Sequence, residues 1–285
     1  MPAISANGAR FHVQRLAPDS GAGPRLGAPP RPRGSTAPTV VFVHGLVTDN
    51  LSSFFYTLAG PIVSAGAHAI LYDLRGHGKS ERTARGYTTT SGAADLCALL
   101  DELGVTEPVY LVGNSYGGLV AARTAITAPD RVAGLVLIEA NCAGSGSAAW
   151  IEDMLNTLTV AALSLEYEET AQRLRDAGQR KLARMAMAAD ALLNGTSIID
   201  DLATEQPLAP AELARIDCPV LGVYGEQSEL VGGADDLRRH VRDCTVEIMP
   251  GLAHTVLREA TGPLRDLVLD WLPEFARPDA TEDAA

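Results

Sequence analysis

The stretch LVGNSYGGLVAA at residues 111–122 constrains the fold more than any other part of the chain. An apolar run with strand character stops at Gly113, and a helix-forming run starts at Tyr116. Ser115 lies between them, with Gly113 two residues before it and Gly117 two residues after. This is G-x-S-x-G, the pattern of a tight strand-to-helix turn that presents its serine and has no room for side chains at the flanking glycines. The surrounding sequence supplies the strands and helices such a turn requires. Short apolar runs at 39–43, 68–74, 109–113, 134–139, 219–224 and 244–249 alternate with helical stretches near 52–65, 89–103, 115–128, 233–242 and 260–275. Buried strands alternating with helices predict an α/β fold with a mostly parallel sheet covered on both faces.

Two segments depart from this rhythm. Residues 17–38 are rich in Pro, Gly and Arg and read as a surface loop without regular structure. Residues 142–215 contain no strand pattern but carry long helical runs, which predicts a helical lid inserted into a core formed by 1–141 and 216–285. Met154, Met185 and Met187 of this insertion are candidates for lining an apolar channel, although packing within the insertion is the simpler reading.

Composition restricts the partners. With 46% hydrophobic and 20% charged residues, the chain can bury a substantial core and is not of the disordered class. Its net charge of −12 argues against binding nucleic acid or an anionic membrane surface, and no basic cluster stands out to reverse this locally. No export signal and no apolar run long enough to span a bilayer is recognised, so a cytoplasmic protein is expected. The four cysteines, Cys97, Cys142, Cys218 and Cys244, lack metal or redox spacing and read as buried small residues. No dinucleotide fingerprint is found, and neither cofactor nor metal is implied. Oligomeric state is not legible.

Four motifs in order resemble those of the α/β-hydrolase superfamily: VFVHGL at 41–46, YDLRGHGKS at 72–80, VGNSYGG at 112–118 and GLAHTVLRE at 251–259. The resemblance covers nearly all of 39–272 and implies an eight-stranded, mostly parallel sheet flanked by helices. It makes Ser115 the nucleophile of the elbow and His254 its base, since a serine hydroxyl needs a base within hydrogen-bond reach and an acid behind that base. By the same resemblance, the backbone amides of Leu46 and Tyr116 form an oxyanion hole. Asp73 would brace its turn together with Arg75, while His12, His68 and His240 have no distinguishing context.

The acid departs from the family pattern. The superfamily usually carries it in a G-x-x-D loop after the strand read here at 219–224, but this chain has Gly225-Glu226-Gln227-Ser228-Glu229. Ser228 occupies the aspartate position and cannot hold the required charge. Glu139, at the end of the strand GLVLIE, is the preferred replacement, and Glu229 the alternative. The expected reaction is hydrolysis of an ester, thioester or related acyl compound, a largely apolar small molecule. A carbon–carbon bond hydrolase remains open, although HGLVTD replaces the HGxGPG turn of that branch. So do a non-hydrolytic enzyme using His254 as acid/base and, behind these, a binding protein without turnover.

Overall fold

A computed structural model describes residues 3–18, 25–26, 37–140, 147–167 and 170–272. The strands are β1 (Ile4–Ala6), β2 (Ala9–Phe11), β3 (Val13–Ala17), β4 (Arg25–Leu26), β5 (Thr39–Val43), β6 (His68–Tyr72), β7 (Val109–Asn114), β8 (Val132–Ile138), β9 (Val220–Gly225) and β10 (Cys244–Met249). A small hairpin joins β1 and β2, and the other eight form one sheet in the order β10-β9-β8-β7-β5-β6-β3-β4. Strands β5 to β10 pair in parallel, while β3 pairs antiparallel with both β6 and β4. This is the expected α/β architecture with eight strands. One correction falls at 17–38, where Arg25–Leu26 forms a short edge strand instead of loop.

The central strands are continuous apolar runs because both faces of the sheet are covered. All five residues of β5 are buried. Successive side chains alternate between faces. Val41 and Val43 therefore join one core cluster with Leu111 and Leu137, and Val40 and Phe42 join the other with Val112, Ile138 and Val223.

In chain order the helices are α1 (Ser52–Phe54), α2 (Gly60–Ser64), α3 (Thr89–Glu102), α4 (Tyr116–Thr127), α5 (Ser147–Tyr167), α6 (Thr170–Asp176), α7 (Arg180–Leu193), α8 (Ile198–Ala203), α9 (Pro210–Leu213), α10 (Gly233–His240), α11 (Val256–Glu259) and α12 (Thr261–Trp271). A π-helical turn at Phe55–Ala59 joins α1 to α2. Pro61 follows it, and a proline inside a helix removes one i→i−4 bond and crowds the carbonyl it would have used.

Helices α5 to α9 all lie between β8 and β9. One stripe of α5 (Met154, Leu155, Leu158, Ala161, Leu165) packs on the core. Neither Met185 nor Met187 is packed inside: they are 38% and 51% exposed. Among the described cysteines, Cys97, Cys218 and Cys244 are half-buried rather than fully buried, and Cys142 lies outside the described residues. No helix among the described residues is long and apolar enough to cross a membrane.

Candidate active site

The carboxyl ends of adjacent parallel strands deliver the candidate residues to one edge of the sheet, the region where ligands bind in open α/β folds. Ser115 follows β7, Glu139 follows β8, Ser228 lies beyond β9, His254 lies beyond β10 and Leu46 follows β5.

Ser115 adopts φ 52° and ψ −121°, a conformation unusual for a residue with a side chain. The turn is held by its N–H, which donates to the Ile138 carbonyl at 2.8 Å. It closes only because its neighbours are glycines. A Cβ on Gly113 would lie 2.5 Å from the Gly117 carbonyl oxygen, and one on Gly117 would lie 2.0 Å from that of Val43.

His254 joins two of the candidates. Its Nε2 lies 3.2 Å from Ser115 Oγ, and its Nδ1 lies 3.1 Å from Glu139 Oε2. A carboxylate can only accept, so Nδ1 carries the proton and Nε2 is left to accept from the serine hydroxyl. Both ring nitrogens are thereby engaged. Glu229 is exposed and is not among these partners.

Glu139 is fully buried and, like Ser115, has a positive φ, 52°. Its backbone N–H donates to Val223 O at 2.8 Å, tying the end of β8 to β9. Three donors meet its carboxylate: the Gly225 N–H, the Ser228 hydroxyl and the His254 Nδ1–H. Ser228 is therefore more than a missing aspartate. Its Oγ donates to the same Glu139 oxygen that His254 reaches and accepts from the Leu230 N–H at 3.1 Å. A G-x-x-S loop beside a strand-end glutamate is the sequence signal for this pairing, and it was legible only as an absence.

Tyr116 directly follows the serine, and Leu46 follows β5, whose end lies against the elbow through the Val43 and His44 carbonyls at Gly117. The Tyr116 N–H opens α4, so it is one of the first-turn donors without a partner inside the helix. The turn carrying Leu46 is fixed on both sides. Asp49 Oδ2 accepts from Gly45 N–H at 2.8 Å, and Val47 N–H donates to His77 Nε2 at 2.9 Å. Val47 itself has φ 60°, which is strained for a β-branched residue. The Tyr116 side chain is buried, and its hydroxyl donates to the Tyr87 carbonyl at 2.6 Å. Leu46 and Tyr116 line one small cavity with Leu74, Tyr87 and Ile198 of α8. From the same excursion, Asp201 accepts from the N–H groups of Gly86 and Tyr87, and Glu205 accepts from Thr89. These clamps were not read from the sequence.

Two expectations about supporting residues need correction. Arg75 does not pair with Asp73; it forms a two-pronged pair with Asp95, Nε to Oδ2 at 2.8 Å and Nη2 to Oδ1 at 2.5 Å. Asp73 instead accepts from the N–H groups of Leu51 and Lys79 and contacts His12 Nδ1 at 2.8 Å, which gives His12 a context.

His77 makes acid stability measurable. Its Nδ1–H donates to Arg75 O and its Nε2 accepts from Val47, so the neutral ring is the one that fits. Burial, reinforced by nearby His44, lowers its pKa to about 3. An unfolded chain titrates histidine near about 6.5. Between these values the unfolded state binds a proton that the folded state refuses, so stability rises with pH across the window and is complete above it. Acidification below about pH 6.5 should therefore lower the melting temperature. His77→Gln keeps an acceptor for Val47 and should flatten the descent by about 1.4 kcal/mol per pH unit. Parallel melting curves for the two proteins across this range would refute the assignment.

Comparison with known proteins agrees with this architecture. The alpha/beta hydrolase family model matches residues 40–267. The chain is 27% identical over 259 residues to a 2-hydroxy-6-oxononadienedioate/2-hydroxy-6-oxononatrienedioate hydrolase of Pseudomonas putida, covering 84% of this chain and 89% of that protein. It is 37% identical over 106 residues to the dihydrolipoyllysine-residue acetyltransferase component of the acetoin cleaving system of Cupriavidus necator, covering 37% of this chain and 27% of that one. This chain thus spans about a third of the length of several curated relatives it matches. Among solved structures, the enol-lactonase from Burkholderia xenovorans LB400 superposes with a TM-score of 0.67 at 19% identity, covering 94% of this chain and 98% of that one. An esterase from Thermogutta terrifontis gives 0.66 at 18%, covering 95% and 97%. On the family match and the shared fold together, this chain belongs to the alpha/beta hydrolase family.

Proposed function

We propose that this protein is a serine hydrolase that cleaves an ester, thioester or related acyl bond through an acyl-enzyme on Ser115. The observation that carries the reading is the continuous relay from Ser115 Oγ to His254 Nε2 at 3.2 Å and from His254 Nδ1 to Glu139 Oε2 at 3.1 Å. His254 takes the hydroxyl proton as Ser115 attacks the acyl carbon, and the imidazolium that forms is stabilised by Glu139. The amides of Leu46 and Tyr116 receive the negative charge that develops on the carbonyl oxygen, a role typically worth about 3 kcal/mol per donor. His254 then returns its proton to the departing alcohol or thiol. Water, deprotonated by His254, releases the acid and restores the serine.

In this reading residues 142–215 form a cap, and the cavity beside Leu46, Tyr116 and Ile198 takes part of an apolar acyl group. No bound cofactor takes part. The test is intact mass after exposure to a fluorophosphonate, with Ser115→Ala as control. Rapid single addition to the native protein alone is the expected result. A folded protein that stays unlabelled, or a mutant that still labels, would count against Ser115 as an activated nucleophile.

A further inference from the structure

We propose that Ser228 is a positioning residue for the relay: its hydroxyl holds the Glu139 carboxylate in the rotation that turns one oxygen toward His254. This inference rests on the catalytic reading of Ser115, His254 and Glu139. The duty of a single aspartate at the family's usual position is here divided between two residues. The charge comes from the end of β8, and the group that holds it comes from the loop after β9.

Glu139 needs such a holder. A glutamate places its carboxylate through one more torsion than an aspartate, and that last torsion is broad. The Gly225 N–H fixes Oε1 only. With one oxygen pinned, the carboxylate can still swing the other away from the imidazole. Ser228 removes that freedom, because its Oγ donates to Oε2, the same oxygen that accepts from His254 Nδ1–H at 3.1 Å.

Ser228 is itself held. Its N–H donates to the Gly225 carbonyl at 3.1 Å, its carbonyl accepts from the Val231 N–H at 3.2 Å, and its Oγ accepts from the Leu230 N–H at 3.1 Å. The Leu230 bond occupies a lone pair of the hydroxyl oxygen and leaves its proton for the carboxylate. Both Ser228 and Leu230 are buried. With its hydroxyl engaged by Glu139 and Leu230, Ser228 acts on the reaction through the carboxylate it orients. A residue that merely braced its own loop would need the Leu230 bond alone.

The full chain is treated with a fluorophosphonate over a range of concentrations, and the limiting rate of labelling is read apart from the half-saturating concentration. Ser228→Ala should lower the limiting rate about tenfold, as the loss of one hydrogen bond to a charged group implies, and leave the half-saturating concentration unchanged. Ser228→Thr keeps the hydroxyl and should stay within about threefold of the native rate. Gln227→Ala, at an exposed neighbour, should label like the native protein. A second readout needs no reaction at Ser115. A histidine Nδ1 proton bonded to a carboxylate resonates far downfield, and that of His254 is assigned by its loss in His254→Ala. It should move upfield in Ser228→Ala, while the Nδ1 proton of His12, which faces Asp73, stays in place. A native protein that labels, with neither rate nor resonance changed in Ser228→Ala, would overturn this proposal and leave the catalytic reading intact. So would a threonine variant as slow as the alanine variant at the native melting temperature. A folded native protein that does not label would overturn both.

Discussion

Glu139→Gln should lower turnover of an acyl substrate by about 10⁴-fold at neutral pH. The reason is hydrogen-bond polarity. The Glu139 carboxylate accepts from the Gly225 N–H, the Ser228 hydroxyl and the His254 Nδ1–H. A carboxamide has one oxygen for three donors, and its NH2 must face one of them. If it faces His254, Nδ1 has to become an acceptor. The ring proton then sits on Nε2, pointing at a serine hydroxyl it can no longer deprotonate. A companion pair sharpens the test. Ser228→Asp alone sets a second carboxylate against a fully buried one and should lower the melting temperature. In the Glu139→Gln background, the same change supplies an acid at the family's usual position and should recover part of the rate. Steady-state kcat for the three variants decides the matter. A Glu139→Gln enzyme with native kcat would remove Glu139 from the relay.

Gly117→Ala should be the most damaging of the conservative changes, at about 3 kcal/mol or more. The added methyl would sit 2.0 Å from the Val43 carbonyl oxygen and 2.4 Å from that of His44. Both are backbone atoms at the end of β5, so no side chain can swing away to make room. The strand end has to move, and Leu46 moves with it. Denaturant unfolding or melting should register this as a fall of about 6–12 °C for a domain of this size. Gly262→Ala is the matched control. It lies in α12, its Cβ would meet nothing within 4 Å, and alanine is the better helix former there. Equal melting temperatures for the two variants would mean that the elbow and β5 are not in rigid contact.

The sequence revealed the frame because the frame is local. Apolar runs fixed the six parallel strands to within a few residues, and G-N-S-Y-G marked the strand–turn–helix around Ser115 before any contact was known. The choice of Glu139 over Glu229 could also be argued, from the stiffness of a strand end. What stayed hidden depends on tertiary meeting. Ser228 and Glu139 are 89 residues apart, and only the β8–β9 pairing brings that hydroxyl to that carboxylate. Arg75 was assigned to its near neighbour Asp73, yet it pairs with Asp95 because α3 packs alongside. Met185 and Met187 looked like interior residues on composition, but both are exposed, although Ala189 and Leu192, on the same face of α7 as Met185 and closer to its C-terminus, are buried. Single-sequence pattern reports which residues want burial, not which neighbours will provide it.

The strand-end glutamate also changes how the relay can move. Ser115 and Glu139 leave adjacent strands one residue beyond Asn114 and Ile138, which are paired in register. The Ser115 N–H is bonded to the residue just before Glu139, and the Glu139 N–H is bonded into β9. Ser115 and Glu139 therefore shift as one body when the sheet flexes, so their spacing is fixed by backbone hydrogen bonds instead of loop packing. His254, one-third exposed and carried by the loop after β10, is left as the single adjustable part. In the proposed mechanism the imidazole can then tilt between the serine oxygen and the leaving group while its anchor stays still, and in the loop after β9 the exposed Gln227 and Glu229, unlike Ser228, can be substituted without touching the charge behind the histidine.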